Sequence, residues 1–118
     1  MLISKKDKRP NLPAHEGGHS LLPDVVKELW HEKFYLVDLG GQDGDVYNTV
    51  TAALQLDFKF TVVERLDFPR GEGIDYQETI PSGADLLYSR SSAQYRSTTY
   101  SEILSALPKW ILFFQHPL

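Results

Sequence analysis

The sequence predicts an α/β domain built on an open, mostly parallel sheet, and three observations predict it. Two short, almost wholly apolar runs, Phe34–Leu39 and Phe58–Glu64, have the length and the β-branched and aromatic content of buried strands. A helical pattern over Asp45–Leu56 separates them, giving a strand–helix–strand unit of the kind whose crossover is right-handed. The alternation then resumes and ends on another apolar run, Trp110–Gln115.

Taken in order, residues Met1–His19 are polar and broken by Pro10, Pro13, Gly17 and Gly18, which reads as a flexible arm ahead of a single domain over 20–118. Lys5, Lys6, Lys8 and Arg9 read as its solvated charges. Ser20 is placed to cap a helix on which Leu21, Leu22, Val25, Val26 and Leu29 recur at helical spacing, with Pro23 in the first turn. The first strand, Phe34–Leu39, ends in the turn Gly40–Gly44. The next helix turns Val46, Val50, Ala53 and Leu54 to one face, and Phe58–Glu64 is the second strand. A loop rich in Gly, Pro and charge covers Arg65–Asp75. Tyr76–Ile80 is a weak third strand, Pro81–Gly83 a turn and Ala84–Ser89 a fourth strand. Thr99 and Glu102 form a capping box for a helix carrying Ile103, Leu104 and Leu107. Pro108 stops it, and Trp110–Gln115 is the fifth strand. The aromatic residues of these strands read as core.

Composition narrows the chemistry. The chain has 118 residues, 42% of them hydrophobic, enough for one core without staples. It has no cysteine, which excludes disulfides, thiolate metal sites, iron–sulfur clusters and cysteine nucleophiles, and fits a cytoplasmic protein. The formal charge of -4 argues against a general nucleic-acid-binding surface. No apolar run is long enough to cross a bilayer, so a membrane is not an expected partner either.

The informative segment is Asp38-Leu39-Gly40-Gly41-Gln42-Asp43-Gly44, between a buried strand and a helix, with Glu64 closing the next strand. Glycines let the chain turn sharply and let a ligand approach the helix N-terminus. An acid about 20 residues beyond such a turn is where a ribose diol is held. The pattern thus points to an adenosine-type ligand across the C-terminal ends of the first two strands.

The segment resembles motif I of S-adenosylmethionine (SAM)-dependent methyltransferases, D-x-G-x-G-x-G. Asp38, Gly40 and Gly44 match it, and Gln42 departs at the middle glycine. The stretches YLVDLGGQDG, FTVVER, ADLLYSRSSAQYR and LPKWILFFQHPL extend the likeness to a family of small bacterial methyltransferases, over about Leu21–Leu118. The resemblance implies a Rossmann-like sheet of order 3-2-1-4-5 flanked by helices, here without the family's final antiparallel pair. It implies SAM as cofactor, held by Asp38, Gly40, Gly41, Gln42, Gly44 and Glu64, and by Ser89, Gln94 and Tyr95 of a serine-rich loop that also includes Ser91. The expected activity is methyl transfer to an acceptor that the residues do not identify. Tyr88, Glu78 and Tyr95 are the polar groups near the strand ends, and none is singled out as a base. The alternative is a non-catalytic domain of the same fold, acting as an oligomeric binding or interaction module.

Two further expectations follow from the residues. His15-Glu16-Gly17-Gly18-His19 matches H-E-x-x-H, which chelates zinc only from a helix. Within an arm, and with two adjacent glycines, it reads as a chance match, so no metal site is assigned. In a sheet ordered 3-2-1-4-5 the Trp110–Gln115 strand is an unprotected apolar edge, which predicts a homodimer paired along it.

Overall fold

The computed structural model describes residues 2–6, 14–41, 43–64, 71–89 and 100–115, with 2–6, 14–20, 100, 114 and 115 as backbone. The elements are β1 (Leu2–Lys6), α1 (Ala14–Leu29), β2 (Tyr35–Leu39), α2 (Asp45–Leu54), β3 (Lys59–Val63), β4 (Asp75–Gln77), β5 (Leu86–Ser89), α3 (Tyr100–Ser105) and β6 (Trp110–Gln115). The strands form one sheet of order β1-β6-β5-β2-β3-β4. Each neighbouring pair is parallel. The five expected strands are β2 to β6, and they stand in the expected 3-2-1-4-5 order.

Period-two alternation sorts the side chains to two faces. Leu36, Phe60, Val62, Leu86 and Leu112 face α1 and α2, packing with Leu22, Val26, Val46 and Val50. Tyr35, Val37, Val63, Leu87 and Ile111 face the other way and pack with Ile103. An edge-to-face chain of rings, Phe34–Phe58–Tyr47, ties the first face to the start of β3. Among the described residues, no helix is long and apolar enough to cross a membrane.

The N-terminal segment differs from the expectation. Leu2–Lys6 is a strand, and it pairs with β6 from Leu2↔Ile111 to Lys6↔Gln115. Trp110–Gln115 is therefore flanked on both sides, and the open edge on which the expected homodimer rested is occupied from within the chain. Lys5 and Lys6 lie on the new outer strand, where charge opposes edge-to-edge pairing. Helix α1 begins at Ala14 rather than after Ser20, so Pro23 lies inside it and not in its first turn. Packing of the Leu22–Val26 stripe outweighs the helix-breaking cost of the Gly17-Gly18 pair and of Pro23. The third expected strand shrinks to Asp75–Gln77. Thr99, the expected cap of α3, lies outside the described residues.

Deleting residues 1–7 is expected to uncover the β6 edge. Sedimentation at micromolar concentration should then show self-association or aggregation that the intact chain lacks. An unchanged sedimentation coefficient distribution would mean that β1 does not guard that edge.

Candidate functional site

The chain leaves β2 toward β3 and β4 on one side and returns to β5 and β6 on the other. The carboxyl ends of β2 and β5 are thus a topological switch point, where open α/β sheets form their ligand crevice. Leu39 is in register with Val63 on one side and Ser89 on the other. Gly40 and Glu64 follow one residue later, so the glycine turn, the acid and the serine meet at one end of the sheet.

The turn is fixed from both ends. The Gly40 N–H donates to Val63 O at 2.8 Å, and the Gly44 N–H donates to Gly41 O at 2.9 Å. Gly40 and Gly44 have φ of 78° and 80°, a region that side chains rarely occupy. Gly44 is also the N-cap of α2 and supplies no capping side chain; Asp43 Oδ1 accepts the Asp45 N–H at 3.2 Å instead. Gly41 is needed for space. A Cβ there would lie 2.3 Å from Asp38 Oδ2 and 2.6 Å from its Cγ. The Asp38 carboxylate, 2% exposed, is therefore packed directly under the turn. Its motif position is explained by this support from below.

Glu64 is 6% exposed, and its backbone N–H donates to Gln77 O at 2.9 Å, which fixes the end of β3 against β4. Ser89 is buried on the α3 side of the sheet, the face opposite Asp38. Tyr88 is in register with Asp38 and is fully buried in the α1/α2 core, so it is no exposed polar group at the strand end. The structure thus gathers Asp38, Gly40, Gly41, Gly44, Glu64 and Ser89. Gln42, Ser91, Gln94 and Tyr95 lie outside the described residues.

Beside Val63, on the α3 side, a cleft of about 490 Å³ opens between α3 and the segment after β4, and Glu64, Ser89 and the glycine turn do not line it. Val63, Ile80 and Ala106 give it an apolar floor, and Glu78, Thr79 and Glu102 give it polar walls. Its volume lies in the range of small-molecule sites. Of the polar strand-end candidates, Glu78 lines this cleft. Ser101 and Ser105 also line it. They escaped the sequence reading, although their spacing of four on a helix was a usable signal.

Two polar groups lie away from the crevice. On the α3 face, the Tyr35 hydroxyl donates to Thr61 Oγ1 at 2.7 Å, and Thr61 donates to Asp75 Oδ2 at 2.7 Å. Burial pushes the Tyr35 phenol up, and the Asp75 charge adds to it. Lys59 Nζ stands 4.3 Å from the centre of the Tyr35 ring. At the amino end of the sheet, Asp85 Oδ2 accepts the Tyr35 N–H at 2.8 Å, and its Oδ1 lies 3.2 Å from both His31 Nε2 and Lys109 Nζ. This second group joins the starts of β2, β5 and β6 and is structural.

Among the described residues, no cluster of three or more His, Asp or Glu side chains could hold a metal ion. No protein-family model, curated protein or solved structure matches the chain, so its chemistry rests on the geometry of the strand ends alone.

Proposed function

We propose that this chain binds SAM and acts as a methyltransferase-like domain. The observation that carries the reading is the meeting, at one switch point, of a glycine turn, supported by Asp38, and the acid Glu64, which follows directly on Val63 of the α3-side cleft. The residues suit the ligand. The turn brings bare backbone and the N-terminus of α2 to the crevice, where the carboxylate end of an amino acid is favoured. The backbone of Glu64 is fixed by its N–H bond to Gln77 O, which sets the point from which its carboxylate meets a diol. The apolar floor of Val63, Ile80 and Ala106 suits a flat heteroaromatic ring, with Glu78 and Thr79 at its rim.

When bound, SAM supplies an electrophilic methyl group on a sulfonium centre. The chain's contribution is to fix the donor's orientation and to exclude water, and it needs a base only where the acceptor must lose a proton. The glycine turn and Glu64 perform the first task, and α3 with the 78–82 segment performs the second. The acceptor stays undefined on this reading.

The test is a thermal melt with SAM and with its demethylated product. Ligand at 100-fold over Kd should stabilise the chain by about 2.7 kcal/mol, a rise of about 10 °C for a domain of this size. In Glu64→Gln, with the fold intact by circular dichroism, calorimetric affinity should fall roughly 10-fold or more, because charge-assisted hydrogen bonds are worth about 1.5–3 kcal/mol each. Unchanged affinity would remove Glu64 from the site, and no response to either ligand would remove SAM. That last result would favour a non-catalytic interaction module. Leu104 and Leu107, 62% and 74% exposed on and just after α3, are the observation on its side.

A further inference from the structure

Strand β4 is three residues long, yet it and the residues just before it grip the glycine turn from its outer side. Asp38, Val62 and Tyr76 are in register across β2, β3 and β4. Val62 and Tyr76 belong to the core beneath α1 and α2, so this row puts Tyr76 on the same face as Asp38. Tyr76 is 9% exposed, and its hydroxyl accepts the Gly71 N–H at 2.8 Å.

Gly71 lies against the ligand turn. A Cβ on Gly71 would stand 2.2 Å from the backbone oxygen of Asp43, so here two stretches of main chain are in direct contact. Three residues on, Ile74 abuts Gly44, where a Cβ would stand 3.0 Å from Ile74 Cγ1. Ile74 also packs against the α1/α2 core. The turn is therefore held on two sides. Asp38 supports Gly41 from below, and Gly71 and Ile74 close on Asp43 and Gly44 from outside. Ile74 is seated by apolar packing. Gly71 has no side chain to pack, and the Tyr76 hydroxyl holds it by its backbone N–H.

We propose that Tyr76 is a positioning residue of the ligand site. Its hydroxyl, acting through Gly71, seats residues 71–74 on Asp43 and Gly44 and keeps the Gly40–Gly44 turn in its ligand-binding shape. A turn that is free to shift must be ordered at the moment of binding, and that ordering costs affinity. The inference rests on the SAM reading for the identity of the ligand. The contact chain from Tyr76 through Gly71 to Asp43 is independent of it.

The test compares Tyr76→Phe with Thr61→Val, each checked for fold by circular dichroism. Both remove a hydroxyl from the β3–β4 pair. Thr61 lies on the opposite face, bonded to Tyr35 and Asp75 and away from the turn. Tyr76→Phe should weaken calorimetric SAM binding about 5-fold, the loss of one ordinary hydrogen bond. Thr61→Val should leave affinity unchanged, whatever it costs in urea denaturation. The Gly44 N–H, bonded to Gly41 O at 2.9 Å, reports the turn without ligand. Its hydrogen exchange should be about 5-fold faster in Tyr76→Phe, with the amides of β2 unchanged. Unchanged affinity in Tyr76→Phe, equal losses of affinity in the two variants, or unchanged Gly44 exchange would each overturn the proposal. If the wild type takes up no SAM, the SAM reading fails by itself, and Gly44 exchange decides whether Tyr76 sets the turn.

Discussion

Gly41→Ala is expected to cost about 3 kcal/mol of stability and to lower SAM affinity at least 10-fold. The new methyl would stand 2.3 Å from Asp38 Oδ2 and 3.1 Å from Asp38 Cβ. The aspartate is too short to swing clear, so either the turn lifts or the buried carboxylate leaves its place. Overpacking alone costs about 1–3 kcal/mol, and displacing a buried carboxylate from its place adds to that. Gly83→Ala is the control. Gly83, unlike Gly41, has positive φ (78°), but nothing lies within 4 Å of its would-be Cβ. It should lose only the backbone term of about 1 kcal/mol and keep full SAM affinity. Equal losses in urea denaturation for the two variants would mean that the Asp38 contact is not the cause. In an Asp38→Ala background the Gly41→Ala penalty should shrink, which a double-mutant cycle measures.

Asp85→Ala is the second large effect, about 2–3 kcal/mol at neutral pH. Burial pushes the Asp85 carboxyl up, but hydrogen bonds from His31, from the Tyr35 backbone N–H and from Lys109 outweigh it and hold the group below the usual carboxylate range. Removing the carboxylate leaves the Tyr35 N–H buried without its acceptor, the costliest part of the change. The His31 and Lys109 side chains are half to two-thirds exposed and return to water, which keeps the figure below that for a fully buried pair. A folded-state pKa below the unfolded value contributes stability above about pH 4, and that contribution is lost as the pH falls through the folded value. The stability gap between wild type and Asp85→Ala should therefore be widest near neutrality and narrow toward pH 3 in urea melts. A gap independent of pH would show that packing, not charge, makes the Asp85 contribution.

Much of the fold was legible because a buried parallel strand is a local signal. Phe34–Leu39 and Phe58–Glu64 are apolar on both faces, and few other structures bury such runs. The glycine turn, Glu64 and Ser89 were legible for a related reason. In a parallel sheet the residues at strand ends gather at one edge, so placing the strands places the site. What escaped depends on distant partners. Leu2 and Ile3 are too few apolar residues to announce a strand, and Lys5 and Lys6 resemble a tail, yet an outer strand with one neighbour needs no more. The first turns of α1 carry two glycines, and only the core beneath Leu22 and Val26 justifies a helix there. The cleft beside Val63 draws its walls from 78–82 and 101–106, segments whose proximity no spacing reveals. Asp85 looked like an ordinary strand-start residue, because its acceptor role is visible only once Tyr35 lies beside it.

The β1–β6 pairing also sets an order of events. Each of the other four pairings links strands closer in sequence than Leu2 and Ile111 are. The loop that must close to bring β1 to β6 spans about a hundred residues, and contacts of such long range form slowly. Until β6 has docked on β5, β1 has no template, and the helix half that carries His15 and His19 has no anchored strand before it. Assembly therefore runs outward from the β2–β5 seam, and the outermost strand closes last. For that interval the apolar β6 backbone is bare, so the chain is most prone to misassociate just before it is finished.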